Sequence, residues 1–135
     1  MTQASLLDAV VVGLGESGLA AACHLAGQGK QVVVVDTRAA PPCAEDLRAQ
    51  CPSVEIITGG LDETLIARAR EIVVSPGVDP RTPALQRASR RGQKLVGEIE
   101  LFARAVNAPV IAITGSNGKS TVTRMLDPIA RTAGM

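Results

Sequence analysis

The sequence predicts an α/β fold built on a doubly wound parallel sheet, and three observations carry that prediction. Short runs of valine and isoleucine recur along the chain and are apolar at consecutive positions, as in strands buried on both faces. Segments with apolar residues at helical spacing lie between those runs. Twice, a glycine-rich turn joins an apolar run to a helical pattern. With 46% of the 135 residues hydrophobic and 20% charged, the chain can bury such a core.

Residues 9–12 and 31–35 read as the first two buried strands, with shorter ones at 54–57, 71–74 and 93–96. Between the first two, residues 17–28 place Leu19, Ala22, Cys23 and Ala26 on one helical stripe, which Gly29 closes. Residues 83–91 read as a helix ended by Gly92. Arg87, Arg90 and Arg91 in its last turn complement the helix dipole and form a solvated face. Residues 98–106 predict a connecting helix, followed by the turn Asn107-Ala108-Pro109 and a strand over 109–113. The expected organisation is a domain over 1–96, a connection over 97–108, and the opening βα unit of a second, truncated domain over 109–135. In the final helical pattern Pro128 removes a donor and should kink or end the helix, at about 3 kcal/mol if nothing adapts.

Several function classes fall away. Lys and Arg number 14 against 13 Asp and Glu, so the net charge of +1 gives no field toward nucleic acid or an acidic membrane. Phe102 is the single aromatic residue, which removes the stacking platforms of single-strand binders. No apolar stretch approaches the roughly 20 residues that span a bilayer. Residues 1–5 lack a basic leader, so no signal peptide is expected. Cys23, Cys43 and Cys51 are odd in number and without C-x-x-C spacing, which argues against a zinc site or disulfide framework and fits a reducing compartment. Cys43 and Cys51 flank a short helical pattern and read as packing residues rather than reactive thiols, and His24 as an ordinary surface or packing histidine. A soluble, cytoplasmic, monomeric protein is the expectation.

Gly13-Leu14-Gly15-Glu16-Ser17-Gly18 is G-x-G-x-x-G after a strand and at the start of a helix. Glycines allow the tight turn and close backbone approach, and a helix N-terminus offers N–H groups to an anion. Asp36 follows 18 positions beyond Gly18, where a dinucleotide enzyme binds ribose hydroxyls. The pattern fits a nucleotide ligand without naming it, and a purely structural turn would also satisfy it. The carboxylate of Glu16 inside the loop would repel phosphates unless it points elsewhere, which disfavours NAD bound in the usual way. Ser75-Pro76-Gly77 follows the 71–74 strand, either as part of a ligand site at the carboxyl end of the sheet or as a tight turn.

The second loop, Thr114-Gly115-Ser116-Asn117-Gly118-Lys119-Ser120-Thr121, also lies between an apolar run and a helical pattern. Backbone N–H groups of such a loop wrap phosphates, a lysine neutralises their oxygens, and a hydroxyl ligates Mg²⁺. The match to a standard phosphate loop is partial, because the position five residues before Gly118 is Ile113 and not glycine. Two phosphate-type loops in one chain speak against an ordinary NAD(P)-dependent oxidoreductase. A stand-alone nucleotide-binding module is a third, non-enzymatic reading.

The stretch from Ala112 to Thr121 resembles the ATP loop of the Mur ligases, whose version begins Thr-Gly, which accounts for Ile113. Asp36-Thr37-Arg38, Ser75-Pro76-Gly77 and Gly97-Glu98-Ile99-Glu100-Leu101-Phe102 resemble the D-glutamate-adding branch of that family, in the same order along the chain. The resemblance implies a Rossmann-like N-terminal domain that binds the UDP of UDP-N-acetylmuramoyl-L-alanine, with Glu16, Ser17, Asp36, Thr37 and Arg38 around uridine, Gly77 near the diphosphate, and Gly15 and Ser75 also among the UDP-binding residues. It implies ATP on Gly115, Ser116, Asn117, Gly118, Lys119, Ser120 and Thr121, with Lys119 catalytic and Ser120 on Mg²⁺. The implied chemistry is ATP-dependent amide formation with D-glutamate through an acyl phosphate, in peptidoglycan synthesis. The family's ATP domain extends well past its phosphate loop, so these 135 residues alone are not expected to ligate.

Overall fold

The computed structural model describes residues 6–135; residues 1–5, read above as no signal peptide, lie outside them. The described chain forms two compact units, one up to Arg104 and one from Ala105 to Met135.

The first unit runs β1 (Leu7–Val12), α1 (Glu16–Gly27), β2 (Val32–Asp36), α2 (Ala44–Gln50), β3 (Glu55–Thr58), α3 (Glu63–Arg68), β4 (Ala69–Val74), α4 (Pro83–Arg90), β5 (Lys94–Val96) and α5 (Glu98–Ala105). All strand pairings are parallel, and the sheet order is β3-β2-β1-β4-β5. The two-residue alternation of a strand sends its side chains to opposite faces. Ala9, Val11, Val32 and Val34 therefore pack with Ala21, Ala22 and Leu25 of α1, Leu47 of α2 and Leu101 of α5. Val10, Val12, Val33 and Val35 pack with Ile66 of α3 and Ala84, Leu85 and Ala88 of α4 on the other face. Helices on both faces explain why the valine runs of these strands are apolar on both sides, and each fully buried valine contributes about 1.5–3 kcal/mol of transfer free energy.

Each predicted strand up to residue 96 is present, with ends shifted by one or two residues. β1 begins at Leu7, because Leu7 pairs with Ala69 of β4 despite the polar Asp8 between it and the valine run. Asp8 itself accepts a 2.9 Å hydrogen bond from the Gln31 backbone N–H. Two short helices have sharp local causes. In α2, which lies between Cys43 and Cys51, Glu45 and Asp46 in the first turn and Arg48 in the last complement the helix dipole. Asp62 caps α3 by accepting from the N–H groups of Thr64 at 2.8 Å and Leu65 at 3.2 Å. In α4 the first helical residue is Pro83, whose missing N–H costs nothing there.

In the second unit two expectations change. Residues 109–113 form no strand, and Val110 and Ile111 are exposed. A parallel strand needs hydrogen-bonding neighbours, and no described strand pairs with this segment. The helix that follows, α6 (Lys119–Thr132), does not end at Pro128 but continues through it. Arg124 lies on an exposed turn, where solvent can take the carbonyl that proline leaves without a donor. Thr132 also donates its hydroxyl to the Pro128 carbonyl at 2.8 Å.

Candidate nucleotide site

The chain leaves β1 toward β2 on one side of the sheet and leaves β4 toward β5 on the other. Their loops must diverge, which opens a crevice at the carboxyl ends of β1 and β4, the position where open α/β sheets bind ligands. A cavity of about 660 Å³ lies there, lined by Gly13, Gly15, Glu16 and Ser17 after β1, Asp36, Thr37 and Arg38 from β2, Leu61 after β3, and Ser75–Asp79 and Thr82 after β4.

The three glycines of the first loop have different causes. Gly13 sits at φ +93°, and a Cβ there would lie 2.8 Å from Val78 Cγ2. Its carbonyl accepts the Ser75 hydroxyl at 2.8 Å, and its N–H donates to Val35 O at 2.8 Å. At Gly18 a Cβ would be 1.9 Å from the Gly13 carbonyl oxygen, so only glycine lets α1 pass under the turn. Around Gly15 nothing lies within 4 Å of a built Cβ. The protein's own packing does not require that glycine, and the space it leaves opens onto the cavity. Gly15 is also the N-cap of α1 and makes no side-chain cap, so the first turn presents its N–H groups and the positive end of its dipole to the crevice.

Asp36 is 2% exposed and its carboxylate is fully engaged. Oδ2 accepts from the Leu14 N–H at 2.7 Å and from Arg38 Nη2 at 2.7 Å. Oδ1 accepts from the Arg38 backbone N–H at 2.8 Å and from Arg38 Nε at 3.0 Å. The Arg38 guanidinium, helped by the backbone N–H groups of Leu14 and Arg38, outweighs burial and holds the Asp36 carboxyl at about 2, below its ordinary 3.8. Asp36 thus ties the glycine loop to the end of β2 and orients Arg38. To accept a ribose diol it would first have to give up those bonds. Thr37 and Arg38 are exposed beside it, and Glu16 stands exposed at the start of α1.

All eight residues that the sequence placed around a UDP group line this one cavity: Gly15, Glu16, Ser17, Asp36, Thr37, Arg38, Ser75 and Gly77. Leu61, Val78, Asp79 and Thr82 line it too and lie outside the sequence motifs. A signal for the last two exists: Thr82 stands before a proline that can open a helix, so the strand-to-helix turn spans Ser75 to Thr82 and not only Ser75-Pro76-Gly77. That turn is braced by Asp79, which accepts from the Arg81 N–H at 2.8 Å and, through its carbonyl, from the Thr82 hydroxyl at 2.6 Å.

The second loop belongs to the other unit. Gly115 at φ +151° and Gly118 at φ +80° provide its bends, and α6 starts directly after Gly118. Lys119 folds back and donates its ammonium to the Gly115 carbonyl. Gly115, Ser116, Asn117, Gly118, Lys119, Ser120 and Thr121 are all exposed. Among the described residues no three His, Cys, Asp or Glu side chains cluster as a metal site, and no helix is long and apolar enough to cross a membrane.

Fold and site together define a Rossmann-like α/β domain with its cavity at the switch point of the sheet. A family described as "Mur ligase MurD-like, N-terminal domain" matches residues 7–97, and the chain belongs to that family. It is 54% identical over 125 residues to a UDP-N-acetylmuramoylalanine--D-glutamate ligase of Pseudomonas syringae, and 47% identical over 125 residues to one of Marinobacter nauticus. Each alignment covers 93% of this chain and 28% of the relative, so the chain spans little over a quarter of the length of these proteins. Among solved structures, a pseudomurein peptide ligase type C from Methanothermus fervidus matches with a TM-score of 0.61 and 27% identity, over 94% of this chain and 26% of that one.

Proposed function

We propose that the cavity of the first unit binds the UDP group of UDP-N-acetylmuramoyl-L-alanine, and that the second loop takes the phosphates of ATP. In the full-length enzyme the two would serve cytoplasmic D-glutamate ligation in peptidoglycan synthesis. The observation that carries the reading is Gly15, a glycine that no protein contact requires, at an uncapped helix N-terminus on the cavity wall. A diphosphate needs that combination of N–H donors and close backbone approach. Thr37 and Arg38 then offer a hydroxyl and a cation to the uracil and ribose, while Asp36 holds Arg38 in place.

The reaction would run in two displacements. A carboxylate oxygen of the nucleotide-sugar attacks the γ-phosphorus of ATP and ADP leaves. The amine of D-glutamate then attacks the carbonyl carbon of the acyl phosphate, phosphate leaves and the nitrogen loses a proton. Lys119, freed from the Gly115 carbonyl, would neutralise charge on the transferring phosphoryl group. Ser120 is exposed next to it and suits Mg²⁺, which commonly takes one or two protein oxygens and completes its shell with phosphates and water. When bound, the ion would supply positive charge that offsets the charge of the phosphates. On this reading these 135 residues bind but do not ligate, and they act as a monomer.

Titration of the purified chain with UDP-N-acetylmuramoyl-L-alanine, UDP, ATP and NADH tests the reading. Saturable binding of both uridine ligands, with none of NADH, is expected. Tight NADH binding without UDP binding would overturn it, and so would glutamate-dependent phosphate release by this chain for the claim that it does not ligate. Gly15→Ala sharpens the test: the fold should lose no more than about 0.5–1 kcal/mol, the scale of an exposed cap. UDP affinity should fall about tenfold or more, because the new methyl occupies ligand space.

A further inference from the structure

Cys23 and Cys51 are 28 positions apart in sequence, yet their sulfurs lie 3.0 Å apart where α1 passes the C-terminal end of α2. Neither is fully buried, so a small solute can reach the pair. The backbone on both sides is held. Cys23 lies inside α1, while the Cys51 N–H donates to Leu47 O at 2.8 Å and its carbonyl accepts from the Val54 N–H at 3.0 Å. A disulfide needs the sulfurs about 1 Å closer, a distance that side-chain rotation can supply. Cys43, the third cysteine, is buried at the opposite end of α2.

We infer that Cys23 and Cys51 form a dithiol modification site that reacts with small-molecule disulfides, closing an intramolecular bridge between α1 and α2. The Cys51 thiolate attacks one sulfur of the small disulfide and expels a thiolate. Cys23 then attacks the Cys51 sulfur of the mixed disulfide and expels the second thiolate. The two protons lost by the cysteines go to the two leaving thiolates, so two protein thiols are oxidised and one small disulfide is reduced to two thiols. Burial, with the neighbouring Cys51 thiol, pushes the Cys23 thiol up to about 11, which makes Cys23 a poor first attacker; in the second step the attack is intramolecular, between sulfurs already side by side.

The native 135-residue chain is incubated with oxidised glutathione at pH 8, quenched in acid, unfolded and assayed for thiols and by peptide mapping. Free thiols should fall from three to one, with a mass loss of about 2 Da, no retained glutathione and a Cys23–Cys51 cross-linked peptide. The oxidised chain should melt on the order of 10 °C higher, since the bridge closes a long loop in the unfolded chain. Cys43→Ser should react as wild type does, and Cys23→Ser should stop at a glutathione adduct on Cys51. Retention of three free thiols, a bridge that includes Cys43, a disulfide-linked dimer, or a stable adduct on wild-type Cys51 would each overturn the inference. Wild-type mapping decides the matter even if a variant fails to fold.

Discussion

Gly13 and Gly18 turn inside a buried loop that Ser75 and Asp36 tie to two other strands, whereas Gly115 and Gly118 bend an exposed loop whose lysine bonds back to its own carbonyl. Both loops show the same kind of sequence signal. The first is a product of tertiary structure: its shape depends on β1, β2 and β4 together. The second is local, set by two glycine bends and the start of α6. A glycine-rich strand-to-helix turn therefore identifies what a segment can bind, and its surroundings decide how firmly the geometry is held.

Substitutions should separate the two loops, the largest effect first. Gly18→Ala puts a methyl 1.9 Å from the Gly13 carbonyl oxygen, a backbone atom that cannot rotate aside. It should cost about 4 kcal/mol or more, enough to unfold the first unit or shift its melting by tens of degrees, measured by circular dichroism. Retention of wild-type melting would show that the first loop is as pliant as the second.

Asp36→Asn should come next, at about 2–3 kcal/mol in chemical denaturation, because an amide cannot accept all the bonds that the carboxylate accepts from Leu14 and Arg38. The same carboxylate gives the first unit an acid-sensitive term. Its pKa is depressed in the folded state, so its stabilisation is complete above the ordinary value of 3.8 and is lost as pH falls toward about 2. The term amounts to about 2 kcal/mol, and Asp36→Asn should flatten the stability profile between pH 4 and 2, where wild type falls. Identical acid profiles for the two proteins would remove Asp36 from its structural role.

Gly118→Ala is the smallest. The backbone is left-handed at φ +80° but the space around it is open, so the cost is strain alone, about 1–2 kcal/mol. It should appear as faster amide exchange at the start of α6, with the melting of the first unit unchanged. A shift in that melting would mean that the loops are coupled.

The first unit was readable from sequence because its strands are apolar on both faces, a pattern that survives without knowledge of their partners. Val10, Val11 and Val12 announce a buried strand whichever neighbours cover it. Gly13, Gly15, Gly18, Asp36 and Ser75 could be singled out because turns, carboxylates at strand ends and strand-end serines are local features. What sequence could not show depends on long-range approach. The bond from Leu14 N–H that engages Asp36 spans 22 positions, and the Ser75 bond to Gly13 spans 62. The Cys23–Cys51 contact is of the same kind, and so is the difference between Gly18, which the packing demands, and Gly15, which it does not. Residues 109–113 show the converse: the local pattern of a strand is present, but strand formation needs a partner. Pro128 teaches the same: of the kink or end expected there, the end does not occur, since the penalty for a missing donor depends on whether the orphaned carbonyl meets solvent.

β1 occupies the middle of the sheet, between β2 and β4, although it precedes the other four described strands in the chain. During synthesis one edge of β1 can pair with β2 as soon as residue 36 has emerged, but the other must wait for β4, complete only at Val74. For that interval a strand that is apolar from Ala9 to Val12 carries an open edge, the arrangement most prone to pairing with a second chain. Folding speed is limited by the same separation, because closing the β1–β4 loop precedes most of the burial it brings. The order of translation thus gives the β1–β4 register, and not the more local β1–β2 pairing, control over whether newly made chains fold or associate.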